Sequence, residues 1–261
     1  MFDESAQGVE HPLSGGNASG AVVRVGDTVR KPWAPSTPSV LHYLEALGTA
    51  GIDLPRSLGR DRNGRQVIEF VPGTLAIDMP PLDREQLHRI GGLVRRIHDA
   101  SAGFLAKPGA VWDSPIEPPA HELVCHNDLA PWNLIIGDRL VFIDWDAAAP
   151  STRLWDLAYA AQSFTLNDTS RSPSEAALDL AAFVDGYNAD SSLRDALPQA
   201  MYERARAMFE LLEHSHEVGR EPWGTMFTRG HGAHWRSAAA FVRNAQAQWI
   251  QALSKERCRP Q

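Results

Sequence analysis

The sequence predicts an α+β chain, with short strands gathered near the amino terminus and helices filling most of the remainder. Three observations carry this. Before residue 73, short apolar runs alternate with turn residues such as Gly26-Asp27, Asn63-Gly64 and Pro72-Gly73. Beyond Asp83, apolar residues recur three and four positions apart over long segments, the period of a helix with one buried face. Between these regions lie three brief apolar runs at 123–125, 134–136 and 140–143, too short for helices.

Taken in order, residues 13–20 form a loop rich in glycine and small polar residues. Gly15 and Gly20 have the spacing of a Walker A loop, but Ala21-Val22 stands where Lys-Ser or Lys-Thr is required, so that motif is absent. Residues 21–25 and 28–31 read as a hairpin turned at Gly26-Asp27, and Pro32, lacking an N–H, stops the second strand. After a proline-rich stretch, Val40, Tyr43, Leu44 and Leu47 define a helix expected to pack on the small sheet. Residues 66–71 form a strand ended by Pro72-Gly73.

Asp83 and Gln86 have the spacing of a capping-box variant, opening a helix with Leu87, Ile90, Val94 and Ile97 on one face. Gly91-Gly92 in its middle costs about 1 kcal/mol per glycine relative to Ala, which implies close approach of another element. His98, near its end, reads as a packing residue. Residues 107–120, broken by prolines and glycines, form a loop. Ser172-Pro173-Ser174-Glu175 caps another helix, with Leu180, Phe183, Val184 and Tyr187 inward. Met201, Ala205, Met208 and Leu212 define a further helix, and residues 234–253 a last one anchored by Trp235, Phe241, Val242, Trp249 and Ile250.

Composition narrows the functional classes. With 261 residues, 43% hydrophobic and 22% charged, the chain can bury a full core as one large domain or two lobes. A net charge of -7 argues against a nucleic-acid partner, which favours a basic face. No apolar run approaches bilayer length, and the acidic start lacks a secretory signal, so a cytoplasmic location without membrane association is expected. Cys125 and Cys258 provide no disulfide framework, and neither reads as reactive.

The chemistry concentrates in one stretch. Asp128 follows His126 by two residues and precedes Asn133 by five; Asp144 closes the apolar run after the Gly137-Asp138 turn, where glycine is expected to supply a positive φ. A hairpin sets the residue before its first strand beside the residue after its second, so Asn133 and Asp144 are brought together facing one cation. Residue types, intervals and hairpin resemble the core of the aminoglycoside phosphotransferase family, which shares the protein-kinase fold.

That resemblance implies a two-lobed protein-kinase-like fold, with a short antiparallel-sheet lobe over 1–73 and a mainly helical catalytic and acceptor-binding lobe over 74–261. It implies a small-molecule kinase: Asp128 as catalytic base with an unraised pKa, His126 bracing the catalytic loop, Asn133 and Asp144 holding Mg2+, and ATP or GTP as co-substrate. Gly15, Gly16, Asn17 and Ser19 would cover the phosphates. Adjacent strand residues point to opposite faces, so only one of Lys31 and Arg30 can enter the cleft, and the resemblance favours Lys31. Glu45 is the only acidic candidate for pairing with Lys31. Adenine would meet backbone near Glu69 and Val71, and Asp156 would hold the catalytic loop's backbone. The acceptor is a small-molecule hydroxyl, as on an aminoglycoside or related metabolite. Trp223, Trp235, His231 and His234 could wall its pocket, and Asp146, Glu210 and Glu213 could favour an amine.

Two rival readings remain. Within the family the chain resembles trifolitoxin-immunity-like members, through Leu-Ser-Gly-Gly-Asn, Val-Gly-Asp-Thr-Val-Arg and Arg-Leu-Trp-Asp-Leu-Ala-Tyr, which raises sequestration of a toxin with little catalysis. Alternatively His121, His126, Asp128 and Asp144 could bind zinc in a metallohydrolase, where Asn133 has no clear use.

Overall fold

The computed structural model describes residues 9–13 and 22–254. The phosphate-covering candidates Gly15, Gly16, Asn17 and Ser19, the acidic amino terminus and Cys258 lie outside the described residues.

The first sheet is antiparallel, in the order β1 (His11–Pro12), β2 (Val23–Val25), β3 (Thr28–Lys31), β5 (Gln66–Glu69), β4 (Ser57–Arg60). Gly26 takes φ +58° in the β2–β3 turn, a conformation that favours glycine. Along β3, Val29 and Lys31 are buried while Thr28 and Arg30 are half-buried, so alternation puts the lysine on the inward face.

The helix α1 (Thr37–Thr49) follows the proline-rich stretch. It does not pack on the small sheet as expected. Val40, Tyr43 and Leu47 join a core with Ile90, Val124 and Trp145, and the Tyr43 hydroxyl donates to the Val124 carbonyl at 2.9 Å. Sequence periodicity gave the buried face but not its partner.

The short β6 (Thr74–Leu75) leads to α2 (Arg84–Ser101), whose start carries both bonds of the Asp83–Gln86 capping box. Leu87, Ile90, Val94 and Ile97 are at most 1% exposed, each worth about 1.5–3 kcal/mol of apolar burial. After the loop, β7 (Leu123–Cys125), β8 (Leu134–Ile136), β9 (Leu140–Phe142) and β10 (Ala149–Ser151) form two small antiparallel sheets, β10–β7 and β6–β8–β9. Gly137 turns β8 into β9, but it is not among the positive-φ glycines. Its small size serves close approach instead, because a Cβ there would lie 3.0 Å from the Pro72 carbonyl oxygen.

The helical part comprises α3 (Arg153–Thr165), α4 (Pro173–Tyr187), α5 (Ser191–Val218), α6 (Trp223–Met226), α7 (Gly232–Asn244) and α8 (Gln246–Ser254). The expected closeness at Gly91 is present. A Cβ on Gly91 would lie 2.0 Å from the Phe183 carbonyl oxygen, and one on Gly186 would lie 1.9 Å from that of His88, so α2 and α4 cross backbone to backbone. The single helix expected over 234–253 is two helices broken at Ala245, and Ile250 is exposed rather than an anchor. Among the described residues, no helix is long and apolar enough to cross a membrane.

Candidate active site

The site is built where β7 ends. Asn127 takes a left-handed conformation at φ +63°, which asparagine tolerates better than most residues. It is fastened on every side: its N–H donates to Asp156 Oδ1 at 2.8 Å, its amide Nδ2 to the carbonyls of Ala147 (3.1 Å) and Ala149 (3.2 Å), and its carbonyl accepts from Arg204 Nη2 at 3.1 Å. Asp156, 1% exposed in the first turn of α3, has its other oxygen 3.0 Å from His98 Nε2. His98 Nδ1 in turn accepts from the Tyr187 hydroxyl at 2.8 Å. Asp156 therefore holds the loop's backbone as expected. His98, Cys125 and Asp156 are close enough to suggest a metal cluster, but both ring nitrogens and both carboxylate oxygens are already hydrogen-bonded.

His126 is fully buried, its ring 4.4 Å from that of Trp145. Its Nδ1 accepts the Asp128 N–H at 3.2 Å, so Nε2 carries the proton and donates to the Ile143 carbonyl at 3.1 Å. Burial lowers its pKa, keeping the ring neutral. This geometry ties the catalytic loop to the end of β9, a brace with no free nitrogen for proton transfer. It also removes the zinc reading, since His121 is an exposed residue 3.2 Å from Glu117.

Asp128 and Asn133 meet directly. Asn133 Nδ2 donates to Asp128 Oδ2 at 2.8 Å and to the Asp128 carbonyl at 3.0 Å, while the Asn133 carbonyl accepts the Ile143 N–H at 2.8 Å. The unraised pKa expected for Asp128 is not found. Burial, then the charge of Asp144, push it up to about 7, against hydrogen bonds from Tyr159 and Asn133 and the positive charge of Arg204. Asp128 is only half-buried by exposed area, because it lines the cavity.

Asp144 follows β9 in the left-handed region at φ +57°, an uncommon conformation for a non-glycine residue and one that recurs at functional sites. Lys31 Nζ lies 3.0 Å from Asp144 Oδ1 and 2.6 Å from Asp146 Oδ1. Burial disfavours the ammonium, but the two carboxylates outweigh it and hold Lys31 above its ordinary pKa. Asp144 is likewise opposed by burial yet held below the usual carboxylate range by Lys31. Arg30 points elsewhere, 3.8 Å from Asp61. Glu45 is exposed on the far side of α1, 4.0 Å from His42, so the partners of Lys31 are Asp144 and Asp146 instead.

Asn127, Asp128, Asn133, Asp144 and Asp146 line one cavity of about 900 Å³. Trp223, Trp235, His231 and His234 wall it, as sequence suggested. Glu210 and Glu213 do not; they pair with Arg206 and Arg236 on the surface. Glu69 has its N–H bonded to the Arg56 carbonyl and its carboxylate to Arg56 and Arg139, while Val71 is buried beside Ile135 and Val141. Sequence reading missed Tyr159 and Arg204. Tyr159 lies one helical turn beyond Asp156, a visible signal, whereas Arg204 reads as an ordinary helix-surface arginine.

Residues 110–206, which hold this loop and hairpin, match the phosphotransferase enzyme family. The chain is also 30% identical over 155 residues to the trifolitoxin immunity protein of Rhizobium leguminosarum bv. trifolii, covering 57% of this chain. That match spans about three fifths of the relative's length, 59%. A choline/ethanolamine kinase family protein from Mesorhizobium loti superposes with TM-score 0.61 at 14% identity, over 96% of this chain and 94% of the other. Amicoumacin kinase in complex with AMP-PNP, Ca2+ and its antibiotic gives 0.67 at 12% identity, over 94% and 89%. The chain thus has the two-lobed kinase-like fold, with an antiparallel-sheet amino-terminal lobe and a mainly helical remainder.

Proposed function

We propose that the chain transfers the γ-phosphoryl group of ATP or GTP to a hydroxyl of a small molecule. The observation that carries this is the convergence of Asp128, Asn133 and Asp144 on one cavity, with Lys31 Nζ 3.0 Å from Asp144. The division of labour falls at Pro72-Gly73, with residues 1–73 covering the nucleotide and 74–261 holding the catalytic loop and acceptor.

The donor set fits a hard divalent cation such as Mg2+. The amide oxygen of Asn133 and the carboxylate of Asp144 are oxygen ligands, and the Asn133 nitrogen is already committed to Asp128, which turns the carbonyl end away from it. When bound, such an ion would neutralise charge on the β- and γ-phosphate oxygens.

The chain's own residues supply the rest. Asp128 orients the acceptor hydroxyl and takes its proton as the oxygen–phosphorus bond forms and the nucleoside diphosphate leaves. Asn133 and Tyr159 fix the carboxylate's direction by hydrogen bonds. Asp156 and His126 hold the loop that presents it. Lys31 leaves its carboxylate partners to reach the phosphates, and the loop bearing Gly15, Gly16, Asn17 and Ser19 covers them. The adenine edge meets backbone after β5, around Glu69 and Val71.

Titration of Mg·ATP and Mg·GTP into the full chain tests the nucleotide half of this reading. A transfer screen across aminoglycosides, macrolides, small amino alcohols and peptide toxins tests the acceptor half. No nucleotide binding to either would sink it. Similarity to an immunity protein supports a second reading, protection by sequestration; a variant lacking the Asp128 carboxylate would then still protect.

A further inference from the structure

Arg204 sits midway along α5, 4% exposed, and it lines the cavity. Its guanidinium carbon lies 4.2 Å from the centre of the Tyr159 ring, the same tyrosine that bonds Asp128. Nη2 donates to the Asn127 carbonyl, but Nη1 is buried without a hydrogen-bond partner. A buried, unpaired N–H of a charged group is costly and calls for an acceptor.

Asp128 and Asp156 lie near enough for their charge to act on Arg204, but among the described residues neither gives Nη1 a hydrogen bond. Among the described residues Arg204 has no ion pair within 4.0 Å. Both oxygens of Asp156 are taken by Asn127 and His98, and those of Asp128 face Asn133 and Tyr159. The wall contributed by the chain from Tyr159 onward carries no acidic residue at all. It is made of Trp223, Trp235, Met208 and Leu211 with Arg229 at the exposed rim, and its His234 donates to Asn167 at 2.9 Å. Carboxylates enter the cavity only from the catalytic loop, from the hairpin and from exposed Asp113 on the opposite lip.

From this we infer that the acceptor is a hydroxy acid with an aromatic or apolar body, its carboxylate bound by Arg204 and its hydroxyl presented to Asp128. The inference rests on the phosphotransferase reading and narrows its acceptor. Tyr159 touches both groups, so carboxylate and hydroxyl must be separated by only a short spacer. The aromatic and methionine wall takes the apolar remainder, and a polycationic acceptor meets Arg204 where it would need a carboxylate.

Three probes share a hydroxyl and a phenyl ring and differ in the group offered to Arg204: 3-phenyllactate, its primary amide, and 1-amino-3-phenylpropan-2-ol. Calorimetric titration of each into the full chain, without nucleotide, should rank the carboxylate about tenfold or more above the other two, as a charge-assisted bond requires. Arg204→Gln should erase that ranking, and Arg204→Lys should keep part of it. Equal affinities, preference for the amine, binding of none, or a ranking that survives Arg204→Gln would overturn the inference. If Arg204→Gln fails to fold, the wild-type ranking decides alone. Mg·ATP titration is scored separately: its failure sinks the phosphotransferase reading, while nucleotide binding beside an amine-preferring cavity sinks only this one.

Discussion

Lys31 Nζ lies 2.6 Å from Oδ1 of Asp146, and it also reaches Asp144, so one buried ammonium is shared by two carboxylates at the mouth of the site. The same lysine is the group assigned to the nucleotide phosphates. Nucleotide must therefore exchange one set of anions around Lys31 for another.

Lys31→Met tests this exchange. Removing the ammonium takes the ion-pair partner from Asp144 and Asp146, and half-exposed Asp146 limits the cost, so a loss of about 1–3 kcal/mol is expected at pH 7. The lysine holds the Asp144 pKa below its unfolded value, and a depressed carboxylate contributes stability above the unfolded pKa that fades as pH falls. Urea unfolding should accordingly show a smaller difference between variant and wild type below about pH 3 than at pH 7. Nucleotide affinity should fall at least tenfold, about 1.4 kcal/mol.

Asp128→Asn should abolish phosphotransfer while nucleotide affinity survives. Its stability effect has a definite sign. The folded-state pKa of Asp128, about 7, lies above the unfolded value, so the folded chain holds a proton that the unfolded chain has lost between about pH 4 and 7. Wild type is penalised as pH rises through that window. The variant should therefore melt higher than wild type at pH 8, by about 1–2 kcal/mol after allowing for solvent in the cavity, and the gap should close by pH 4.

The rate of phosphotransfer should rise with pH through about 7, as Asp128 loses its proton, when measured at limiting nucleotide and acceptor. A flat profile between pH 6 and 8 would remove Asp128 from the proton-accepting role.

Asp156→Ala strands the Asn127 N–H and the His98 proton in a fully buried place, and a loss of about 3 kcal/mol is expected from thermal unfolding. Asp156→Asn keeps an acceptor for Asn127 and should recover part of both stability and activity.

Gly91→Ala and Gly186→Ala should each cost more than about 3 kcal/mol, because the added methyl meets backbone oxygen and no side chain can give way. Gly48→Ala, where a Cβ meets nothing within 4 Å, is the control expected to be neutral or mildly stabilising.

What was legible in the sequence had local causes. The capping box at Asp83, the hairpin after Asn133 and the alternation that lets only one of Arg30 and Lys31 turn inward all follow from residues a few positions apart. The sequence also located Asp156, because a loop of unpaired N–H groups needs an acceptor. What escaped depends on contacts distant in the chain. The packing of α1, the partners of Lys31 and the raised pKa of Asp128 each arise from residues tens of positions away. Arg204 was hidden differently: a lone arginine on a helix usually snorkels to water, and only the fold shows this one facing inward.

The glycine crossing of α2 and α4 has a consequence for how such a chain can diversify. A joint in which main chain rests on main chain has no tolerance to spare, and it anchors the helix whose His98 supports Asp156. Change in what the cavity accepts is thereby channelled into α5 and the segments after it, whose side chains form the far wall and, Arg204 apart, make no hydrogen bond to the loop at Asn127 among the described residues.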